Sequence, residues 1–195
     1  LRSLNLDEKQ WIPKQQQYFI NNQKEQGYRP QDIYDDNCII KQTQVKIYYA
    51  YESACSQSGL VDFSEILLRA YELFRDHPEL LAIYRQRFNY VLVDEFQDTN
   101  SLQYAWISLL IDNQNYLTVV GDDDQSIYGW RGAKVENLNK FTRDFPDAQV
   151  IRLEQNYRST GNILAAANAI IAKNQSRMGK ELWTEAKAGE AISYY

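Results

Sequence analysis

The chain has 195 residues, is 44% hydrophobic and 13% aromatic, and carries a formal charge of −5, so it is long enough to bury a substantial core. Two cysteines in no metal-ligand spacing and a single histidine exclude His/Cys metal clusters and serine–histidine chemistry, and reduced thiols are expected of a cytoplasmic protein. Residues 1–60 carry seven basic and seven acidic groups, residues 61–150 eight and fifteen, and residues 151–195 six and four, so the acidity sits in the middle.

Residues 7–26 are polar and glutamine-rich, with Trp11, Ile12, Tyr18, Phe19 and Ile20 as a thin apolar stripe, which predicts a surface helix ended by Gly27-Tyr-Arg-Pro30. A second helix is expected from about Ile39 to Ser56, closed by Ser58-Gly59. Basic and aromatic side chains on this pair are compatible with a nucleic-acid backbone, but a solvated helical hairpin is the simpler reading. The texture changes near residue 60. Leu60–Phe74 is strongly amphipathic, with Asp62 or Ser64 as N-cap, and Pro78–Phe88 forms another helix after a turn at His77.

Tyr90–Val93 is a short apolar run that ends abruptly in Asp94-Glu95, which predicts a buried strand delivering two carboxylates to its C-terminal end. In an open parallel sheet that end is where ligands bind. One carboxylate can hold a hard cation such as Mg²⁺ while its neighbour orients or deprotonates a water. The competing reading is that both acids cap the following helix. Leu102–Ile111 is helical and Tyr116–Val120 is a second buried strand, so strand, helix and strand form a crossover unit with parallel strands.

The second strand leads into Gly121-Asp-Asp-Asp-Gln-Ser-Ile-Tyr-Gly-Trp-Arg-Gly-Ala133. Gln125 is expected to reach the crevice of Asp94 and Glu95, with Tyr128 and Trp130 as exposed platforms beside Arg131, the combination that stacks on single-stranded bases. A core tryptophan is the alternative for Trp130, against which its glycine neighbours argue. A helix over Val135–Phe145 and a third strand over Gln149–Leu153 follow, ending in Glu154-Gln-Asn-Tyr-Arg-Ser-Thr160 and a long helix capped by Ser159 or Thr160. Arg158 at this junction is placed to reach a phosphoryl group, or to pair with Glu154. Ala191–Tyr195 reads as a terminal strand, and with no initial methionine the chain is expected to be an internal piece of a longer protein. No apolar run is long enough to span a bilayer and no signal-peptide pattern is present.

Asp94-Glu-Phe-Gln-Asp-Thr-Asn100, the Gly121–Ala133 stretch and Gln155-Asn-Tyr-Arg-Ser-Thr160, in this order and spacing, resemble consecutive motifs of the UvrD/Rep-type superfamily 1 DNA helicases. The resemblance implies an α/β fold: an incomplete RecA-like P-loop NTPase parallel sheet with an N-terminal all-helical subdomain. It further implies a helical insertion of the first motor half at residues 1–60, that half's RecA-like core at 61–148, and the beginning of a second RecA-like half at 149–195. ATP and Mg²⁺ are the implied cofactors. Asp94 would hold the metal, Glu95 activate the attacking water, and Gln125 sense the γ-phosphate. Tyr157 would lie against adenine, Arg158 would contact the γ-phosphate, and Tyr128 and Trp130, with Arg131 beside them, would stack on single-stranded DNA.

The implied activity is 3′-to-5′ translocation on single-stranded DNA and unwinding of duplex at junctions, in repair or replication and with repair proteins as partners. Other readings are the helicase subunit of a helicase–nuclease and, for the isolated chain, a non-catalytic DNA- or partner-binding module. One departure is clear. A phosphate-cradling loop ends in Gly-Lys-Ser or Gly-Lys-Thr, whereas this chain offers Gly179-Lys-Glu181 without the preceding spacing, so alone it is expected to hydrolyse little or no ATP. Unpaired sheet edges also make a non-native dimer of the isolated chain an expectation.

Overall fold

Helix starts in this chain follow local chemistry. In the computed structural model, which describes residues 1–34, 38–174 and 177–193, Pro13 occupies the first turn of α1 (Pro13–Glu25), where its missing N–H costs nothing. Asp62 caps α3 (Phe63–Asp76), its Oδ1 accepting the Glu65 N–H at 2.7 Å, so Asp62 rather than Ser64 does this work. Asn100 and Gln103 form a reciprocal capping box on α5 (Ser101–Leu110). The remaining helices are α2 (Ile39–Gln57), α4 (Pro78–Arg87), entered through His77, α6 (Glu136–Asp144) and α7 (Gly161–Ile171). Thr160 holds the N-cap position of α7 without a side-chain bond; the Gly161 N–H donates to the Lys187 carbonyl instead.

α1 and α2 pack through Ile20, Ile47 and Tyr48, with Trp11, Phe19 and Tyr51 at the margin, giving the expected helical pair. This pair is joined to α3 by charge. Lys24 is 2% exposed, and its Nζ lies 2.8 Å from Asp62 Oδ2 and 2.7 Å from Glu65 Oε2. Arg29 reaches Glu52 at 2.6 Å, Glu65 at 3.0 Å and Glu72 at 2.6 Å. Burial works against the Glu65 carboxylate, but hydrogen bonds from Lys24, Arg69 and Arg29 outweigh it and bring its pKa down to about 2. Every one of these charges therefore has a partner, which is what makes their burial tolerable.

β1 (Tyr90–Val93) and β2 (Tyr116–Val119) pair in parallel, Tyr90 opposite Tyr116 and Val93 opposite Val119, with α5 as the crossover. Val93, Leu117 and Val119 pack on Phe96, Tyr104 and Ile107, backed by Leu138 and Phe141 of α6. The expectation of buried strands is corrected on the other face: Tyr90 and Leu92 are 70% and 76% exposed. The reason is geometric, since strand side chains alternate and helices cover one face among the described residues.

The third strand is corrected too. Residues 149–153 form no ladder, and Val150, Ile151 and Leu153 are exposed, because a β-prone run becomes a strand only beside a hydrogen-bonding partner. A single parallel bridge forms just beyond, between Gln155 and Trp183. Residues 191–193 are not in a strand, and the rest of the expected terminal strand, Tyr194 and Tyr195, lies outside the described residues. The described chain is thus a mixed helix and strand structure around a small parallel two-stranded sheet. Among the described residues no helix is long and apolar enough to cross a membrane.

Candidate nucleotide and nucleic-acid site

β1 delivers Asp94 and Glu95 to its C-terminal end as exposed carboxylates, and among the described residues neither enters an ion pair. The capping alternative fails here. Glu95 precedes the single 3-10 turn Phe96–Asp98 without a side-chain cap bond, and α5 takes Asn100 instead. Glu95 has φ 49°, in the left-handed region, which for a residue with a Cβ costs about 1 kcal/mol or more. Its N–H donates to Asp94 Oδ1 at 2.9 Å, and the fully buried Phe96 donates its N–H to the Val120 carbonyl at 2.9 Å, which pins the turn to the end of β2.

Gln97, 1% exposed, is the residue that joins the two strand ends. Its Nε2 donates to Glu95 Oε2 at 2.7 Å, and its Oε1 accepts the Asp122 N–H at 2.9 Å. The two turns meet closely at Gly121, where an added Cβ would lie 2.9 Å from Gln97 Oε1 and 3.3 Å from Phe96 Cβ, so a side chain has no room. Gln125 is exposed and donates its Nε2 to Asp122 Oδ2 at 2.6 Å. Glu95, Gln97, Asp122 and Gln125 are therefore consecutive links of one polar chain across the strand ends. Gln125, expected in the crevice of the two acids, makes no direct contact with either; the links between them run through Gln97 and Asp122.

Beyond Gln125 the loop turns outward. Trp130 is 70% exposed, which excludes the core reading, and its ring centroid lies 6.5 Å from that of Tyr128 at 51°. Arg131 Cζ sits 5.6 Å from each ring centroid, within cation–π range. These residues line a groove of about 740 Å³ whose other wall includes Tyr18, Asn21 and Phe63. Gly132, at φ 83°, lets Glu25 of α1 close on the loop, since a Cβ there would stand 2.7 Å from Glu25 Oε2. Burial pushes the Glu25 carboxyl up, with Ser64 and Arg131 acting against it. The far end of the loop is tied back by Asn137, 5% exposed, whose Nδ2 donates to the Thr99 carbonyl at 2.9 Å and to Thr99 Oγ1 at 3.1 Å.

Tyr157 and Arg158 stand apart from these groups. Tyr157 is 86% exposed, and its hydroxyl donates to Gln155 Oε1 at 2.7 Å. Asn156 Oδ1 accepts the Arg158 and Ser159 N–H groups at 2.9 and 2.7 Å, which shapes the turn. Among the described residues Arg158 has no ion pair with Glu154, and no hydrogen bond or ion pair joins it or Tyr157 to Asp94, Glu95 or Gln125. Asp122, Asp123 and Asp124 bring carboxylate oxygens within 4.8 Å of one another, but Lys180, the Met178 N–H and Arg177 already engage them. Gln97, Asn137, Arg177 and Lys180 escaped the sequence reading. Gln97 alone had a signal, as a polar residue inside the Asp94–Asn100 motif.

Residues 2–146 match the UvrD/REP helicase N-terminal domain, and residues 151–195 match the UvrD-like helicase C-terminal domain. The chain is 57% identical over 195 residues to DNA helicase II of Salmonella typhimurium strain LT2 and 57% identical to DNA helicase II of Escherichia coli strain K12; both alignments cover 100% of this chain and 27% of the relative. It is 45% identical over 197 residues to the ATP-dependent DNA helicase PcrA of Leuconostoc citreum, covering 100% of this chain and 26% of that protein. The chain thus spans about a quarter of the length of these curated relatives. With both family matches falling on the segments whose geometry is described above, the chain belongs to the UvrD/REP helicase family.

Proposed function

We propose that the chain is the part of an ATP-dependent DNA helicase that links nucleotide turnover to single-stranded DNA, translocating 3′ to 5′ and opening duplex at junctions in repair or replication. The observation that carries this reading is the polar chain Glu95–Gln97–Asp122–Gln125, because the loop on which it ends also presents Tyr128, Trp130 and Arg131. Relatives named as DNA helicases, one of them ATP-dependent, support it.

In this reading residues 61–148 form the RecA-like core of the first motor half, residues 1–60 its helical insertion, and residues 149–195 the start of a second RecA-like half. The donor set fits Mg²⁺: two hard carboxylates at the end of a parallel strand, without ion-pair partners among the described residues. Asp94 would hold the metal. Bound with ATP, Mg²⁺ supplies polarisation of the phosphoryl oxygens and charge neutralisation. Glu95, kept in its strained turn and hydrogen-bonded by Gln97, orients and deprotonates the attacking water. Gln125 reports on the γ-phosphate, since movement of its amide is passed through Asp122 to Gln97 or along the loop to the aromatic pair. Tyr157 offers an exposed ring for adenine, and Arg158 a guanidinium without an ion pair among the described residues for the γ-phosphate. Tyr128 and Trp130 stack on bases while Arg131 adds charge at the groove mouth.

The test is steady-state ATPase of the full-length protein with and without single-stranded DNA. Stimulation by DNA is expected, and turnover indifferent to DNA would reject the motor reading.

A further inference from the structure

The segment Arg177–Trp183 binds both parts of the chain at once. At its start it grips the acidic loop after β2. Arg177 forms a two-pronged pair with Asp124, Nε to Oδ1 at 2.7 Å and a terminal nitrogen to Oδ2 at 2.6 Å. The Met178 N–H donates to Asp123 Oδ2 at 2.7 Å, and Lys180 pairs with Asp122 Oδ1. These side chains are largely buried, the Arg177–Asp124 pair at 18% and 12% exposure and the Lys180–Asp122 pair at 17% and 21%.

At its other end the segment holds the Gln155–Arg158 turn and α7. The Trp183 N–H donates to the Glu154 carbonyl at 3.0 Å, and the Asn156 N–H donates to the Trp183 carbonyl at 2.7 Å. Asn168 of α7 brackets Leu182, its Nδ2 donating to the Leu182 carbonyl at 2.8 Å and its Oδ1 accepting the Leu182 N–H at 3.3 Å. The acidic loop lies in the segment matching the N-terminal helicase domain, and the strap lies in the segment matching the C-terminal one.

We propose that Arg177–Trp183 is a connecting strap that sets the position of Gln125 relative to the Tyr157–Arg158 turn, with Lys180 as a positioning residue acting on Gln125 through Asp122. This rests on the reading of Gln125 as a nucleotide-sensing residue. Asp122 is shared: Oδ1 takes Lys180, and Oδ2 takes the Gln125 amide at 2.6 Å. Burial works to raise the Asp122 carboxyl, but bonds from Lys180 and Gln125 bring it below the usual range, so it stays ionised and able to hold both. Without Lys180 the carboxylate keeps only the Asp124 N–H, 3.0 Å from Oδ1, to orient it, and the group that holds the Gln125 amide is less firmly fixed. The acidic cluster is thereby a neutralised docking point for a basic strap rather than a cation site.

The experiment uses the full-length protein with saturating single-stranded DNA. Lys180→Met, which keeps the aliphatic stem, is expected to lower kcat about tenfold with KM for ATP changed less than about twofold, and Lys180→Arg to recover most of the loss. In a Gln125→Ala background the same Lys180→Met change is expected to cost less than about twofold more, the signature of two residues acting as one. Full additivity, or wild-type kcat in Lys180→Met, overturns the proposal. A readout independent of turnover is amide hydrogen exchange over residues 122–126, expected to quicken at least about threefold in Lys180→Met and not in Lys180→Arg; unchanged exchange also overturns it. Glu95→Gln is assayed alongside. If that variant keeps turnover, the reading of the site itself is wrong; if it loses turnover while Lys180→Met does not, the strap alone is refuted.

Discussion

The seam between the helical pair and α3 and the strand ends at Asp94–Glu95 are both rich in charge, yet they are built in opposite ways. In the seam Lys24 and Glu65 are buried, and every charge named there has a partner within 3.0 Å. At the strand ends Asp94 and Glu95 are exposed and free of ion pairs among the described residues. Paired charge in the first region serves cohesion, whereas carboxylates without an ion pair among the described residues, as in the second, are the kind a ligand can engage. The same residue types thus take different roles according to burial and pairing.

Four substitutions or conditions would break or sharpen that contrast. The largest effect is expected at the strand ends: Glu95→Gln in the full-length protein should lower DNA-stimulated turnover about 10²–10⁴-fold while sparing nucleotide affinity and the melting temperature. Turnover near wild type would remove Glu95 from the chemistry. In the seam the balance reverses. Glu65→Ala strips a shared partner from Lys24 and Arg29 and should cost about 3–5 kcal/mol of stability by denaturant unfolding; a loss below about 1 kcal/mol would mean that the seam is held by its apolar neighbours.

Trp130→Ala should weaken single-stranded DNA binding by about 1–3 kcal/mol while basal ATPase holds, and unchanged binding would refute the stacking role. The smallest effect at neutral pH concerns acid. Glu65 has a folded pKa near 2 against 4.5 unperturbed, so its contribution is complete above about pH 4.5 and is lost as pH falls toward about 2. The melting temperature should fall across that window in the wild type and less steeply in Glu65→Gln.

Local order was readable to the extent that it depends on local chemistry. The helical pattern of α2 and α3, a cap at Asp62 or Ser64 and the parallel β1–α5–β2 unit could be read along the chain, because caps and periodicity are properties of neighbouring residues; the choice of Asp62 came with the structure. What failed depended on distant partners. Residues 149–153 carry strand-forming side chains but no ladder neighbour, and β1 was read as buried although an apolar run cannot say whether both its faces are covered. Lys24 lies in the polar, glutamine-rich stretch 7–26, where nothing nearby announces its partners Asp62 and Glu65. In the candidate site, residue types marked Asp94, Glu95, Gln125 and the aromatic pair. Gln97 and the Arg177–Lys180 strap were silent because their meaning lies in what they touch across 25 to 58 residues of sequence.

The close approach at Gly121 has a mechanical consequence. With Gln97 Oε1 2.9 Å from where a methyl group would stand, the turn after β1 and the turn after β2 have no clearance between them, and neither can slide without carrying the other. Gln97, bonded to Glu95 Oε2 and to the Asp122 N–H, is the part the two turns share, so a substitution that moves its side chain is felt at both strand ends.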